Sequence, residues 1–411
     1  MVKKRRVFRT FKGIYKMIPY SRQFIDEDDK KAVLEVLNSD FLTTGPKVKE
    51  FENAICDYTD AKYAIAVSNG TAALHISSLI LLNKGDLVLT TPNSFVATSN
   101  SILYAGANPL FVDIKEDGNI DLDKCIDIIN QFGSKIKAIF LVHFSGNPVD
   151  MEKLAFIRRK YPEIKILEDA SHAIGAKYKW KIDNEKGKIS KIGDCKFSDI
   201  TTFSFHPVKN ITTGEGGAVL TNNEEIYKKA LILRNHGIIR SDFENEDLAY
   251  DKKGNLNPWY YEMQELGFNY RISDIQCALG ISQLKKLDKF IEKKHFLAKR
   301  YDEAFENTII KPLYKFNEFS AYHLYVVRVD FSRLNITKAE FFYKLREDGI
   351  YLQLHYIPIN KQPYYKKLGY GSENLPQMYK YYEEAFSIPL YYSLSEKEQN
   401  YVIKKLFEVL K

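Results

Sequence analysis

One lysine, Lys209, follows an apolar run and precedes a glycine-rich turn, in Thr202-Phe-Ser204-Phe-His206-Pro-Val-Lys209 and then Gly214, Gly216 and Gly217. Most lysines are solvated surface groups. Here Ser204 lies just upstream, and the glycines let backbone close around the side chain. A lysine partly desolvated among apolar neighbours has its amine pKa lowered, which is what Schiff-base chemistry requires. A second device is Ser68-Asn69-Gly70-Thr71, between a predicted strand and helix. N–H groups at a helix start plus a Thr hydroxyl can cradle a phosphate, and a plain N-cap fits the same residues. The third is Glu168-Asp169-Ala170-Ser171-His172, where an apolar run ends in two carboxylates. A carboxylate there can hold a positive ring nitrogen, each charge favouring the other. The competing reading has Asp169 capping the next segment and His172 as a satisfied core histidine. The fourth, Leu266-Gly-Phe-Asn269-Tyr-Arg271-Ile-Ser273-Asp274, is a loop entering a helix at the N-cap Ser273, and a domain junction would look the same.

Other common devices are missing. There is no G-x-G-x-x-G after a strand, no phosphate-binding G-x-x-x-x-G-K-[ST] and no H-E-x-x-H. The eight histidines lack metal-ligand spacing, so no metal is expected. The four cysteines, Cys56, Cys125, Cys195 and Cys277, are scattered, which predicts neither a zinc ribbon nor a disulfide framework and fits a reducing, cytoplasmic compartment. The most apolar run, Thr71 to Leu82, is too short and too polar to span a bilayer.

The elements that must position these groups alternate. Short apolar runs at Tyr63 to Val67, Leu87 to Thr90, Pro109 to Asp113, Ala138 to Val142 and Ile164 to Leu167 read as strands. Helical spacing separates them at Ala97 to Tyr104, Leu122 to Gln131 and Met151 to Tyr161. That is the sequence form of an α/β fold, a mostly parallel central sheet with helices on both faces. The strand ends then carry the chemistry, as ligands in open α/β sheets bind beyond the carboxyl ends of strands. After about Arg271 the texture changes to one long helix, Ile275 to Arg300, strands at Tyr322 to Val329 and Tyr351 to His355, and a helix at Lys338 to Asp348. This predicts a smaller C-terminal α+β domain. The expected division is a basic extension 1–17, a large domain 18–272 and a small domain 273–411. Lys177 to Lys191 reads as a solvated hairpin.

Length and charge fit this plan. The 411 residues, 45% hydrophobic and 27% charged, are ample for a large core. The net charge of +7 equals the seven basic residues among 1–17, leaving the body neutral at 53 against 53. A basic tail is not a basic face, so no nucleic acid is expected for the body. The tail is either an upstream extension or an arm that binds membrane or nucleic acid.

Taken together, the four segments, in this order and spacing from about Ile18 onward, resemble the DegT/DnrJ/StrS family of nucleotide-sugar aminotransferases. The resemblance implies the aspartate-aminotransferase-like (type I) fold and pyridoxal 5′-phosphate as cofactor. It implies Lys209 as the catalytic residue that bonds the cofactor and shuttles a proton. Asp169 would keep the pyridine nitrogen protonated, His172 would lie near the ring hydroxyl, and Phe95 would stack on the ring. Gly70, Thr71 and Ser204 would contact the phosphate. Asn269 would reach the phosphate of the neighbouring subunit, making a homodimer with shared active sites, although related members shift that polar group to the position of Arg271. Related sugar 3-dehydratases carry His where this chain has Lys209, which favours amino transfer.

Substrate contacts implied by the same resemblance are Tyr20, Asp40, Phe41, Leu42 and Thr43, and Gln353, Leu354, His355 and Tyr356. Each has an ordinary packing alternative. The wording at Tyr20 to Gln23, Phe203 to Val219, Leu266 to Phe290 and His355 to Tyr365 is most similar to members acting on UDP-linked sugars in pseudaminic acid biosynthesis, with flagellin glycosylation or cell-surface polysaccharide as the setting. L-glutamate would donate its amino group, leaving 2-oxoglutarate, and C4 of a UDP-linked 4-keto-6-deoxy-N-acetylhexosamine would receive it. Alternatives are a UDP-4-amino-4-deoxy-arabinose or dTDP- or GDP-keto-sugar aminotransferase, and a regulatory or sugar-binding homologue without chemistry. Asp242 to Trp259 is a candidate specificity loop.

Overall fold

The structure, a computed structural model, describes residues 17–181 and 187–410. The predicted basic extension lies, but for Met17, outside the described residues. Seven strands form the main sheet in the order Tyr63–Val67, Gly217–Thr221, Ile200–Ser204, Lys165–Asp169, Ile136–Val142, Leu87–Thr90, Asn108–Phe111. Gly217–Thr221 runs antiparallel to both neighbours, and all other pairs are parallel. The expected mostly parallel α/β sheet is therefore what forms.

Alternation along each strand explains why both faces are covered. Ala64, Ala66, Leu89, Ile139, Leu141 and Ile166 feed one core. Ile65, Val67, Val88, Ala138, Phe140 and Leu167 feed the other. Successive side chains on a strand point to opposite faces, so a run apolar at every position needs helices on both sides. A third core, around Leu297, Tyr301, Tyr325, Phe341, Phe386 and Leu406, belongs to the C-terminal residues. Its sheet is Lys311–Pro312, Tyr325–Arg328 and Ala385–Ile388. Packing passes from the first core to this one along the helix Leu287–Phe305. Leu287, Phe290 and Ile291 pack with the first, Leu297 to Phe305 with the second.

Three elements differ from their sequence reading. The single helix expected over 275–300 is two, Asp274–Leu284 and Leu287–Phe305. Neither glycine nor proline marks the break; Lys286 there gives its amine to Asp26 at 2.6 Å and to the buried Asp29 at 2.8 Å. The strand expected over 351–355 shrinks to Ile350–Tyr351, which pairs in parallel with Ile18–Pro19, so the chain's first described strand joins its C-terminal part. The hairpin Lys177–Trp180 with Lys188–Lys191 forms, but Tyr178 and Trp180 bury one of its faces.

Candidate active site

The carboxyl ends of the strands Tyr63–Val67, Lys165–Asp169 and Ile200–Ser204 lie at one edge of the sheet, and each carries one of the segments singled out above. Lys209 lies five residues beyond the last, its N–H bonded to the His206 carbonyl at 2.9 Å. The residue before it is held from outside the loop, since the Ser21 hydroxyl donates to the Val208 carbonyl at 3.0 Å. Lys209 is half-buried. Desolvation pushes its amine down to about 8, against the opposing pull of the Asp169 carboxylate. A neutral, nucleophilic amine is thus available near physiological pH.

Only one of the two strand-end carboxylates is free to serve this amine's surroundings. Glu168 faces away and is consumed. Val149 N–H donates to His143 Nδ1 at 3.2 Å, so the ring hydrogen is assigned to Nε2, which donates to Glu168 at 2.7 Å. Thr201 donates to the same carboxylate at 3.2 Å. Asp169 is buried and accepts from Thr98 Oγ1 at 2.6 Å and from Ser171 N–H at 3.1 Å. Thr98 has spent its one hydrogen, so Ser94 must donate to Thr98 in their 2.8 Å contact. A two-hydroxyl relay therefore fixes the carboxylate.

The helix Gly70–Leu81 opens beside this group. Asn69 caps it by accepting from Ala72 N–H at 2.8 Å, leaving the N–H groups of Gly70 and Thr71 without intrahelical acceptors. A Cβ on Gly70 would sit 2.8 Å from Ser204 Cβ, so the helix start and the Ser204 hydroxyl form one tight cradle. Gly217 is required behind it, because a Cβ there would meet the Asn69 carbonyl at 2.5 Å. The N-cap reading of this segment is what forms, and it leaves the Gly70 and Thr71 N–H groups open beside the Ser204 hydroxyl.

On the other side, imidazoles and aromatic rings close in. His172 Nε2 meets the Tyr356 hydroxyl at 3.0 Å, while its buried Nδ1 has no partner among the described residues. The His323 ring lies 4.3 Å from the His172 ring and is likewise buried with an unpartnered Nδ1. Burial first, then neighbouring Lys209, holds His355 at about 3; burial, helped by Lys209 and His355, holds His172 well below the ordinary value. All three rings are neutral near pH 7. Phe95 stands 60% exposed at the start of the helix Val96–Tyr104, its centroid 6.4 Å from that of Tyr356.

These groups fit pyridoxal 5′-phosphate. The Gly70–Thr71–Ser204 cradle suits a phosphate, Lys209 an aldehyde, Asp169 a ring nitrogen, and Phe95 a flat face. The orphaned nitrogen of His172 offers an unmet bond. The outer residues are arranged differently. Tyr20 packs edge-on to His355 at 5.0 Å, and the Tyr381 hydroxyl donates to the His355 carbonyl. Asp40, Phe41, Leu42 and Thr43 form an exposed stretch tied to the Asn269 segment, since Asp274 N–H donates to the Leu42 carbonyl at 3.0 Å and Thr43 bridges Ser273. Gln353 and Leu354 line a groove with Phe342, Arg346 and Tyr382, whereas Tyr356 reaches inward to His172. Asn269 is exposed, and Arg271 is engaged by Asn235 at 2.7 Å. Sequence reading missed Thr98 and His323, which reach the site across the chain; no local spacing marks them.

The chain matches the model of the DegT/DnrJ/EryC1/StrS aminotransferase family over residues 23–407. It is 40% identical over 396 residues to UDP-4-amino-4,6-dideoxy-N-acetyl-beta-L-altrosamine transaminase of Campylobacter jejuni, covering 96% of this chain and 98% of that one. Among solved structures it is similar to Helicobacter pylori PseC, an aminotransferase involved in the biosynthesis of pseudoaminic acid, with a TM-score of 0.84, 32% identity and 96% and 99% of the two chains covered. NtdA from Bacillus subtilis with bound cofactor PMP superposes with a TM-score of 0.77 at 31% identity, over 94% and 83%.

Two outcomes follow from the geometry. Thr98→Val removes a hydrogen bond to a buried carboxylate, worth about 1.5–3 kcal/mol, so pyridoxal phosphate affinity should fall on the order of tenfold or more. Titration of ligand-free protein by absorbance measures this, and an unchanged affinity would show that Thr98 does not hold Asp169. The second concerns protonation. A lysine with its pKa held at about 8 is protonated below that pH and nucleophilic above it. The rate at which Lys209 is modified by an amine-directed reagent, mapped by peptide mass spectrometry, should rise with pH to a midpoint near 8. A midpoint near that of ordinary lysines, about 10.4, would refute the desolvation argument.

Proposed function

The chain belongs to the DegT/DnrJ/EryC1/StrS aminotransferase family and is a pyridoxal 5′-phosphate-dependent enzyme, and from that premise we propose that it moves the amino group of L-glutamate onto C4 of a UDP-linked 4-keto-6-deoxy-N-acetylhexosamine. The observation that carries amino transfer is the half-dry amine of Lys209 beside the hydroxyl-locked carboxylate of Asp169. The sugar is taken from the named activity of the Campylobacter relative.

When bound, the cofactor supplies an aldehyde carbon to receive an amino group and a ring that accepts electrons from an adjacent C–H bond. Lys209 Nζ, half of it neutral near pH 8, takes the proton from the donor's α-carbon and returns it to the other carbon of the exchange. Asp169, held by Thr98 and Ser171, keeps a proton on the ring nitrogen. The neutral imidazole of His172, and Tyr356 bonded to it, orient the ring without adding a competing charge. Gly70, Thr71 and Ser204 anchor the phosphate. Tyr20, His355 and Tyr356 flank the sugar, with Asp40 to Thr43 and Gln353 to Leu354 further out.

In this reading the working unit is a homodimer, with Asn269 contributing to the partner's phosphate site. Supporting this, the segment leading to Asn269 leaves Trp259 74% and Leu266 79% exposed, an apolar surface that a second copy would cover. The reaction is placed in the reducing cytoplasm. In support, the four cysteines are free.

With glutamate and a panel of UDP- and dTDP-linked keto-sugars, mass spectrometry should find the amino-sugar product from a UDP-4-keto-6-deoxy substrate, and Lys209→Ala should abolish it. No amino-sugar from any substrate would leave a binding homologue as the reading. Separately, Trp259→Glu with Leu266→Glu should shift the protein from dimer to monomer on sedimentation and lower turnover, while Asn269→Ala weakens cofactor retention in an intact dimer. A monomeric wild type with full activity would refute the shared site.

A further inference from the structure

Behind Lys209 lies a second dry amine that the reaction does not use. Lys294, on the helix Leu287–Phe305, is 4% exposed and has no acidic partner among the described residues. Its Nζ donates to Asn210 Oδ1 at 2.6 Å. Asn210 Nδ2 in turn donates to the Ile174 carbonyl at 3.1 Å and to the Ala321 carbonyl at 3.3 Å. Ile174 lies two residues after His172, and Ala321 two before His323. One buried side chain, next in sequence to Lys209, thus ties together the three segments that form the inner wall of the site.

We propose that Lys294 is a positioning residue for Lys209, acting through the side chain of Asn210; this rests on the aminotransferase reading. The two ends of an Asn amide have nearly the same shape, and only their partners decide which end faces which way. Without a donor at Oδ1, a buried amide oxygen is left unpaired and the side chain loses the contact that anchors it to the helix Leu287–Phe305, so the clamp loosens. An apolar side chain would be cheaper to bury at this place than an amine without a counter-charge. Burial pushes the Lys294 amine down to about 7, in keeping with a group retained for its hydrogen bond and not for its charge.

The two forms of the cofactor separate this role from simple packing. Pyridoxal phosphate binds covalently, the Lys209 amine forming a C=N bond as the aldehyde oxygen leaves as water. Pyridoxamine phosphate has no aldehyde and needs no lysine. Titrating ligand-free protein, Lys294→Met should weaken pyridoxal phosphate binding on the order of tenfold or more and leave pyridoxamine phosphate binding near the wild-type value. In the holoenzyme kcat should fall with KM for glutamate unchanged. Lys294→Gln, which keeps an N–H donor, should recover most of the loss. Equal weakening of both forms, or of neither, overturns the proposal. If Lys294→Met does not fold, Asn210→Ser removes the same clamp from its other end and must show the same selective loss. Wild-type protein that binds neither form would count against the enzyme reading itself, not against this one.

Discussion

An amine that must attack an aldehyde near neutral pH has to be kept partly out of water, and the carboxylate needed beside it pulls the other way. Burial lowers the Lys209 pKa while Asp169 raises it. The balance stays near 8 only if neither group moves, because a closer carboxylate would restore the ammonium. Most of the specific bonding around the site serves that immobility. Thr98 and Ser171 fix Asp169 from one side; Ser21 and Asn210 fix the lysine loop from the other. The neighbouring imidazoles are kept neutral by their own burial, so they fill and orient the pocket without adding positive charge.

The sheet makes this possible because its strand ends are rigid and adjacent. Lys165–Asp169 and Ile200–Ser204 are paired neighbours, with Asp169 opposite Thr202 in register. Gly217–Thr221 turns back antiparallel between Ile200–Ser204 and Tyr63–Val67, pairing with both. Its first residue must be glycine, since it passes under the Asn69 carbonyl at the start of the helix Gly70–Leu81. The antiparallel strand thus brings Gly70 and Ser204 together, although 134 residues separate them in sequence.

The parts of the site legible in sequence are those whose function lies in local backbone. A strand end followed by a capped helix, a lysine before glycines and a carboxylate closing an apolar run are all contiguous patterns, and each forms the local element it implies. What stayed illegible is contributed across the chain. Thr98 sits in the first turn of the helix Val96–Tyr104, like any core threonine, and its partner is 71 positions away. His323 follows an unremarkable Ala-Tyr pair. Glu168 and Asp169 are indistinguishable as adjacent acids until His143 and Thr201 occupy one of them. The break at Lys285-Lys286 escaped for a similar reason, because a lysine bonded to two distant carboxylates ends a helix without any breaker residue.

The C-terminal residues take part through the same economy of fixed contacts. Tyr356 bonds His172, and Ala321 accepts from Asn210. Each contact joins a residue beyond 273 to the wall that holds Lys209. A displacement of these segments therefore cannot leave the lysine loop untouched: it would pull on Asn210 through Ala321 and on His172 through Tyr356 at once.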